Sequence, residues 1–259
     1  MLKPTLCVSL LLLWTVTPVL AGIDETKLVD LTYPLDEQTI VWPSNKPFTW
    51  QRSAWGRTSQ GYWYASAEFS MSEHGGTHID APIHFGEKRL ALDEIPLQKL
   101  IAPAVVIDVR PTVAEQLDYR LSKQDLERWE HRHGPIQEGA VVLMLTGWGQ
   151  RWPDKSRYLG SRTPSDPKTL HFPGFSKEAA EFLVKERHID GIGIDTASID
   201  YGPSQNFIVH QIVNGANLYG LENIANLEKL PPKGAILFAL PIKIRGGTGG
   251  PVRIIAVLP

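Results

Sequence analysis

The sequence holds one cysteine, Cys7, and it sits inside an apolar N-terminal run. Residues 1–21 (MLKPTLCVSLLLLWTVTPVLA) place Lys3 ahead of the apolar stretch 10–19 and end in a small residue, the pattern of a cleaved secretory signal peptide. Removal after Ala21 leaves residues 22–259 with no cysteine, which excludes disulfides and thiolate metal clusters even in an oxidising compartment. No later segment approaches the roughly 20 consecutive apolar residues of a spanning helix, so no membrane span is expected. An excess of charge is also lacking: a formal net charge of −2 offers no electrostatic footprint for nucleic acid. Repeats and linkers are absent too, so one secreted domain is expected over 22–259, with 42% hydrophobic residues in the whole chain to build its core.

What is present is rich in strand signals. Residues 27–33 and 62–70 carry β-branched and aromatic residues, while 104–109, 140–146, 191–195, 235–244 and 252–258 read as buried strands. Ser122 with Asp125 three residues on resembles a capping box that opens a helix through Trp129. Residues 177–187 place Ala179, Ala180, Phe182 and Leu183 at helical spacing. Strands and helices mix without regular βαβ alternation, which favours an α+β fold or a mixed α/β sheet over a doubly wound one. Residues 153–174 lack periodicity and carry several prolines, so a long loop is expected, either covering a site or standing out as a surface insertion.

The chemistry concentrates in SEHGGTHIDAPIHF, where His74, His78, Asp80 and His84 fall within eleven residues. Gly75 and Gly76 disfavour helix and Pro82 ends any extended run, so ligands can converge on one turn. His78 and Asp80 at i and i+2 share one face of an extended stretch. Imidazole and carboxylate are the usual ligands of a catalytic zinc or manganese ion with room left for water. Downstream, Asp195, His210 and Glu222 stand out, although a turn-capping aspartate and a capping glutamate explain the acids equally well. His131, His133 and His188 lie in charged helix ends and read as surface residues, and His171 belongs to the long loop. Trp42, Trp63 and Phe85 are candidates to stack on a flat substrate, with core packing the competing role.

HGGTHIDAPIH resembles the signature of the cyclase family of metal-dependent hydrolases, which includes bacterial kynurenine formamidases and isatin hydrolases. The resemblance spans nearly all of residues 22–259. DLTYPLDEQTIVWP at 30–43 is similar to the family's opening strand and turn, and LPIKIRGGTGGPVRIIAV at 240–257 to its closing hairpin. DTASIDYG at 195–202 is most similar to the isatin hydrolase branch, and the final glycine-rich turn carries no chemistry of its own in this reading. The resemblance implies that His74, His78 and Asp80 bind metal and that His84 is the acid–base residue. His210 and Glu222, twelve positions apart, have the spacing by which two-metal members complete a second shell with the shared aspartate, so one or two zinc or manganese ions are implied. It further implies an α+β domain around a mixed, barrel-like sheet with flanking helices, assembled as a homodimer or homotetramer. The implied activity is hydrolysis of a C–N bond in a small aryl amide or lactam by metal-activated water. An arylformamidase proper and a secreted metal-binding protein without catalysis are the alternatives.

Overall fold

Each β-branched run becomes a strand, and short strands with no sequence signature join them. The computed structural model describes Gly22 and residues 24–259; the expected signal peptide, residues 1–21, lies outside the described residues. Its strands are β1 (Leu28–Asp30), β2 (Thr49–Arg57), β3 (Trp63–Ser70), β4 (His78–Asp80), β5 (Ile101–Asp108), β6 (Arg120–Leu121), β7 (Val141–Leu145), β8 (Gly174–Phe175), β9 (Gly191–Ile194), β10 (Tyr219–Glu222), β11 (Lys233–Pro241) and β12 (Gly249–Val257). The helices are α1 (Arg110–Glu115), α2 (Lys123–His133), α3 (Lys155–Tyr158), α4 (Lys177–Phe182) and α5 (Ile208–Gly215). Ser122 caps α2 in the expected box with Asp125, and α4 continues as a π turn over Leu183–Arg187.

Strands β12, β11, β5, β7, β9, β10 and β4 follow one another by hydrogen bonding, and β4 pairs back onto β12 to close a barrel, with β1 alongside β12. The run β5-β7-β9-β10 is parallel and every other pairing in the barrel is antiparallel, giving the mixed, barrel-like sheet expected. Alternation sorts the side chains into two cores. Ala104, Val106, Leu143, Leu221, Leu237 and Ile254 fill the barrel. Val105, Ile107, Val142, Met144, Ile192 and Ile194 face outward and pack with Leu126 and Trp129 of α2, Ala180 and Phe182 of α4, and Val213 of α5. Each such fully buried aliphatic side chain contributes about 1.5–3 kcal/mol.

Two expectations need correction. The parallel half does alternate: α2, α4 and α5 each fall in the crossover between successive parallel strands. Of the three, only α5, of eight residues, carries no sequence expectation, because it is too short to display a clear period. Residues 153–174 are neither lid nor free insertion. Tyr158, Leu159, Leu170 and Phe172 are fully buried and anchor the segment in the outer core, while 153–157 and most of 162–168 stay exposed.

Strands β2 and β3 pair only with each other, forming an arm outside the barrel. Trp50, Trp55, Trp63, Tyr64 and Phe69 on this arm are 47–60% exposed.

Candidate active site

The site sits on the outer wall of the barrel where β4 closes it. Strand β4 pairs His78 with Glu222 of β10 and Asp80 with both Gly220 of β10 and Gly249 of β12. Ile79 points into the barrel, so His78 and Asp80 both face outward, as their i, i+2 spacing requires. Gly76, at φ +60°, makes the turn that leads into this strand. Helix α5 lies over β10 and brings His210 to the same point.

Asp80 stands at the centre. Its Oδ1 lies 2.6 Å from His74 Nδ1 and 3.3 Å from His78 Nε2, while its Oδ2 lies 3.4 Å from His210 Nε2. Glu222 completes the group, with Oε2 at 3.4 Å from His78 Nε2 and Oε1 at 3.2 Å from His210 Nε2. Two ligand clusters result, His74–His78–Asp80 and Asp80–His210–Glu222, sharing one carboxylate. All six sequence candidates, His74, His78, Asp80, His84, His210 and Glu222, line a single cleft of about 260 Å³.

Three of the four site histidines are held from behind. His78 Nδ1 donates to the Gly76 carbonyl at 2.9 Å, and His210 Nδ1 meets Asp200 Oδ2 at 2.8 Å. His74 Nε2 meets Thr248 Oγ1 at 2.9 Å. Such bonds leave the opposite ring nitrogen directed at the site. Asp200 also accepts from the backbone N–H groups of Val209 and His210, tying α5 to the site. Sequence reasoning missed Asp200 and Thr248: it read Asp195 in DTASIDYG and treated the glycine-rich turn as inert. The second aspartate of that octapeptide and the one hydroxyl of GGTGG were the available signals.

Burial shapes the charges. Burial would raise Asp80, but the His78 charge and hydrogen bonds from His210, His74 and His78 hold it well below the usual carboxylate range. Burial would lower His78, but Asp80 and Glu222 outweigh it and raise the ring to about 9. Burial also works against His210, which hydrogen bonds to Asp200, Asp80 and Glu222 push well up. His84 goes the other way: burial, reinforced by the neighbouring His74, His210 and His78, pushes it down to about 4 against the pull of Asp80. The His84 ring stacks on His74 with centroids 3.9 Å apart.

Of the remaining candidates, only Trp42 and Phe85 reach the cleft. Asp195 accepts from the backbone N–H groups of Thr146, Gly147 and Trp148, a turn cap as its sequence context allowed, and burial raises it to about 6. His131, His171 and His188 are exposed, with His171 bonded to Asp118, and His133 packs half-buried on Trp129. Trp42 and Phe85 line the cleft together with Phe207, which sequence reasoning missed, whereas Trp63 lies on the arm.

The family model described as "Putative cyclase" matches residues 29–201. The chain belongs to the cyclase family. It is 37% identical over 209 residues to an isatin hydrolase of Roseibium aggregatum, covering 78% of each chain. It is 28% identical over 235 residues to a kynurenine formamidase of Salinibacter ruber, covering 88% of this chain and 96% of the other. In three dimensions it matches isatin hydrolase A from Ralstonia solanacearum with a TM-score of 0.83 at 37% identity, over 90% of this chain and 92% of that one.

The donor set of this cyclase-family chain fits a divalent metal ion. Asp80 Oδ2 is buried without a hydrogen-bond partner, and three imidazoles and two carboxylates converge with no thiolate among them. A buried carboxylate oxygen without a well-formed hydrogen bond, here with His210 Nε2 no closer than 3.4 Å, is costly unless a cation satisfies it.

Proposed function

We propose that this chain is a secreted metal-dependent hydrolase that opens the C–N bond of a small aryl amide or lactam. One observation carries the reading: Asp80 presents one oxygen to each of two ligand clusters at the floor of an aromatic cleft, with the His84 ring beside them. The chain's likeness to isatin hydrolases and kynurenine formamidases supports an aromatic amide as substrate. His74, His78, Asp80, His210 and Glu222 would hold one or two zinc or manganese ions, with Asp80 shared. A bound divalent ion supplies a Lewis acid that acidifies water and polarises the amide carbonyl.

The chain's own residues do the rest. Trp42, Phe85 and Phe207, with ring centroids 5.6–5.8 Å apart in successive pairs, form walls for a flat aromatic ring and hold its amide over the site. His84, pushed down to about 4, is neutral at neutral pH and accepts the proton that water loses as its oxygen adds to the carbonyl carbon. The same ring then delivers that proton to the departing nitrogen as the C–N bond breaks. Hydroxyl ends on carbon and hydrogen on nitrogen, so a lactam becomes an amino acid and a formamide becomes an amine and formate.

The test uses protein collected from the culture medium, with its N-terminus sequenced. Hydrolysis of isatin or N-formylkynurenine is expected, lost on chelation and restored by manganese or zinc. Faster isatin turnover supports lactam opening, and faster N-formylkynurenine turnover supports an arylformamidase. A metal-loaded protein inert toward aryl amides, lactams and esters would sink the hydrolase reading in favour of a metal-binding protein. Retention in cells with residues 1–21 intact would sink secretion.

A homodimer or homotetramer belongs to the same proposal. A lone two-stranded hairpin is marginal in water, and this arm exposes five large aromatics, so a second copy is the expected cover. Light scattering is expected to give the mass of two or four chains, reduced by the double variant Trp55→Ser/Trp63→Ser; the mass of one chain for the unaltered protein would refute the assembly.

A further inference from the structure

We propose that Thr248 and Glu73 are positioning residues that fix which imidazole nitrogen of His74 faces Asp80; this rests on the divalent-metal reading above. The argument is one of donors and acceptors. Glu73 Oε2 accepts the Thr248 backbone N–H at 3.0 Å and also lies on the Thr248 hydroxyl. A threonine hydroxyl has a single proton, and a carboxylate can only accept. With that proton committed to Glu73, Thr248 Oγ1 can only accept from His74 Nε2, 2.9 Å away. Nε2 therefore carries a ring hydrogen and is held away from the site, which leaves Nδ1 as the nitrogen directed at it, 2.6 Å from Asp80 Oδ1.

The rest of the surroundings hold this arrangement still. On one side the His84 ring stacks on His74 at 3.9 Å. Against His74 also lies Gly249, where a Cβ would stand 2.5 Å from His74 Cε1, so only glycine allows the approach. The turn itself is anchored to the site: the Thr248 carbonyl accepts from Ala81 N–H at 2.9 Å, just past Asp80, and the Gly247 carbonyl accepts from Leu92 N–H at 2.9 Å. The glycine-rich turn GGTGG thus brings a hydroxyl to the back of a metal-ligating ring. His78 and His210 take their equivalent bonds from a backbone carbonyl and a buried carboxylate. For His74 the bond comes from a neutral hydroxyl, which can be removed at nearly constant side-chain volume.

Thr248→Val removes the hydroxyl and keeps the volume, whereas Thr248→Ser keeps the hydroxyl. Affinity for manganese, measured by chelator competition at fixed pH, is expected to fall about 10–100-fold in the valine variant and to be largely restored in the serine variant. The melting temperature of the metal-free protein is expected to stay near that of the unaltered chain in both. Unchanged affinity in Thr248→Val, equal losses in the two variants, or losses that follow the metal-free melting temperature would overturn the assignment. Failure of the unaltered chain to bind any divalent ion would overturn the metal reading itself, an outcome visible in the same titration.

Discussion

His78→Ala is expected to abolish both metal binding and turnover. The ring is buried, lies between Asp80 Oδ1 at 3.3 Å and Glu222 Oε2 at 3.4 Å, and is oriented by the Gly76 carbonyl. Asp80 holds its charge in the interior because His78 and two further histidines surround it. Removing the imidazole deletes one ligand and leaves two buried carboxylates with less compensation. Breaking a buried pair in this way typically costs about 3–5 kcal/mol. Strand β4 has three residues, all buried, and closes the barrel, so the loss is expected to register in the metal-free melting temperature as well. Metal content, turnover and melting, measured on one preparation, check all three effects. An alanine variant that keeps its metal would remove His78 from the ligand set.

The legibility of this site follows from how its residues are distributed. His74 to His84 stood out because four metal-competent side chains separated by glycine and proline have no packing explanation. The register of β4 turns that cluster into geometry: with Ile79 inside the barrel, His78 and Asp80 must emerge on the same face. His210 and Glu222 stand out singly in the sequence, but only the family spacing pairs them as candidate ligands. Taken alone, neither α5 nor β10 is long enough to show a period, and the two come together only because α5 is the crossover that precedes β10. Asp200 and Thr248 were hidden for a different reason. Their roles are to bond the far side of an imidazole, and that depends on contacts 10 and 174 residues apart in sequence. The arm was half legible: β3 carries a dense aromatic run, while β2 intersperses Gln, Arg and Ser among its tryptophans.

His84→Ala separates chemistry from metal binding, and its expected result is opposite to that of His78→Ala in one respect: the metal stays. Among the described residues His84 belongs to neither ligand cluster, although its ring lies 3.9 Å from that of His74 and 5.8 Å from that of His210. A group so placed borders the site without belonging to either cluster. Burial, first among the causes, pushes the ring down to about 4, so at neutral pH it offers a lone pair. Once it has taken a proton it is a strong acid, ready to protonate a poor nitrogen leaving group. Amide hydrolysis stalls without that second transfer, because an amide anion does not leave. Losing a positioned acid–base group typically costs about 10²–10⁴-fold in rate, and a loss of that size in kcat at full metal occupancy is expected here. An ester of similar shape, whose leaving oxygen needs less help, is expected to lose far less. Equal metal loss in His84→Ala and His78→Ala would refute the division of roles, and equal rate losses on amide and ester would move His84 from proton transfer to substrate placement.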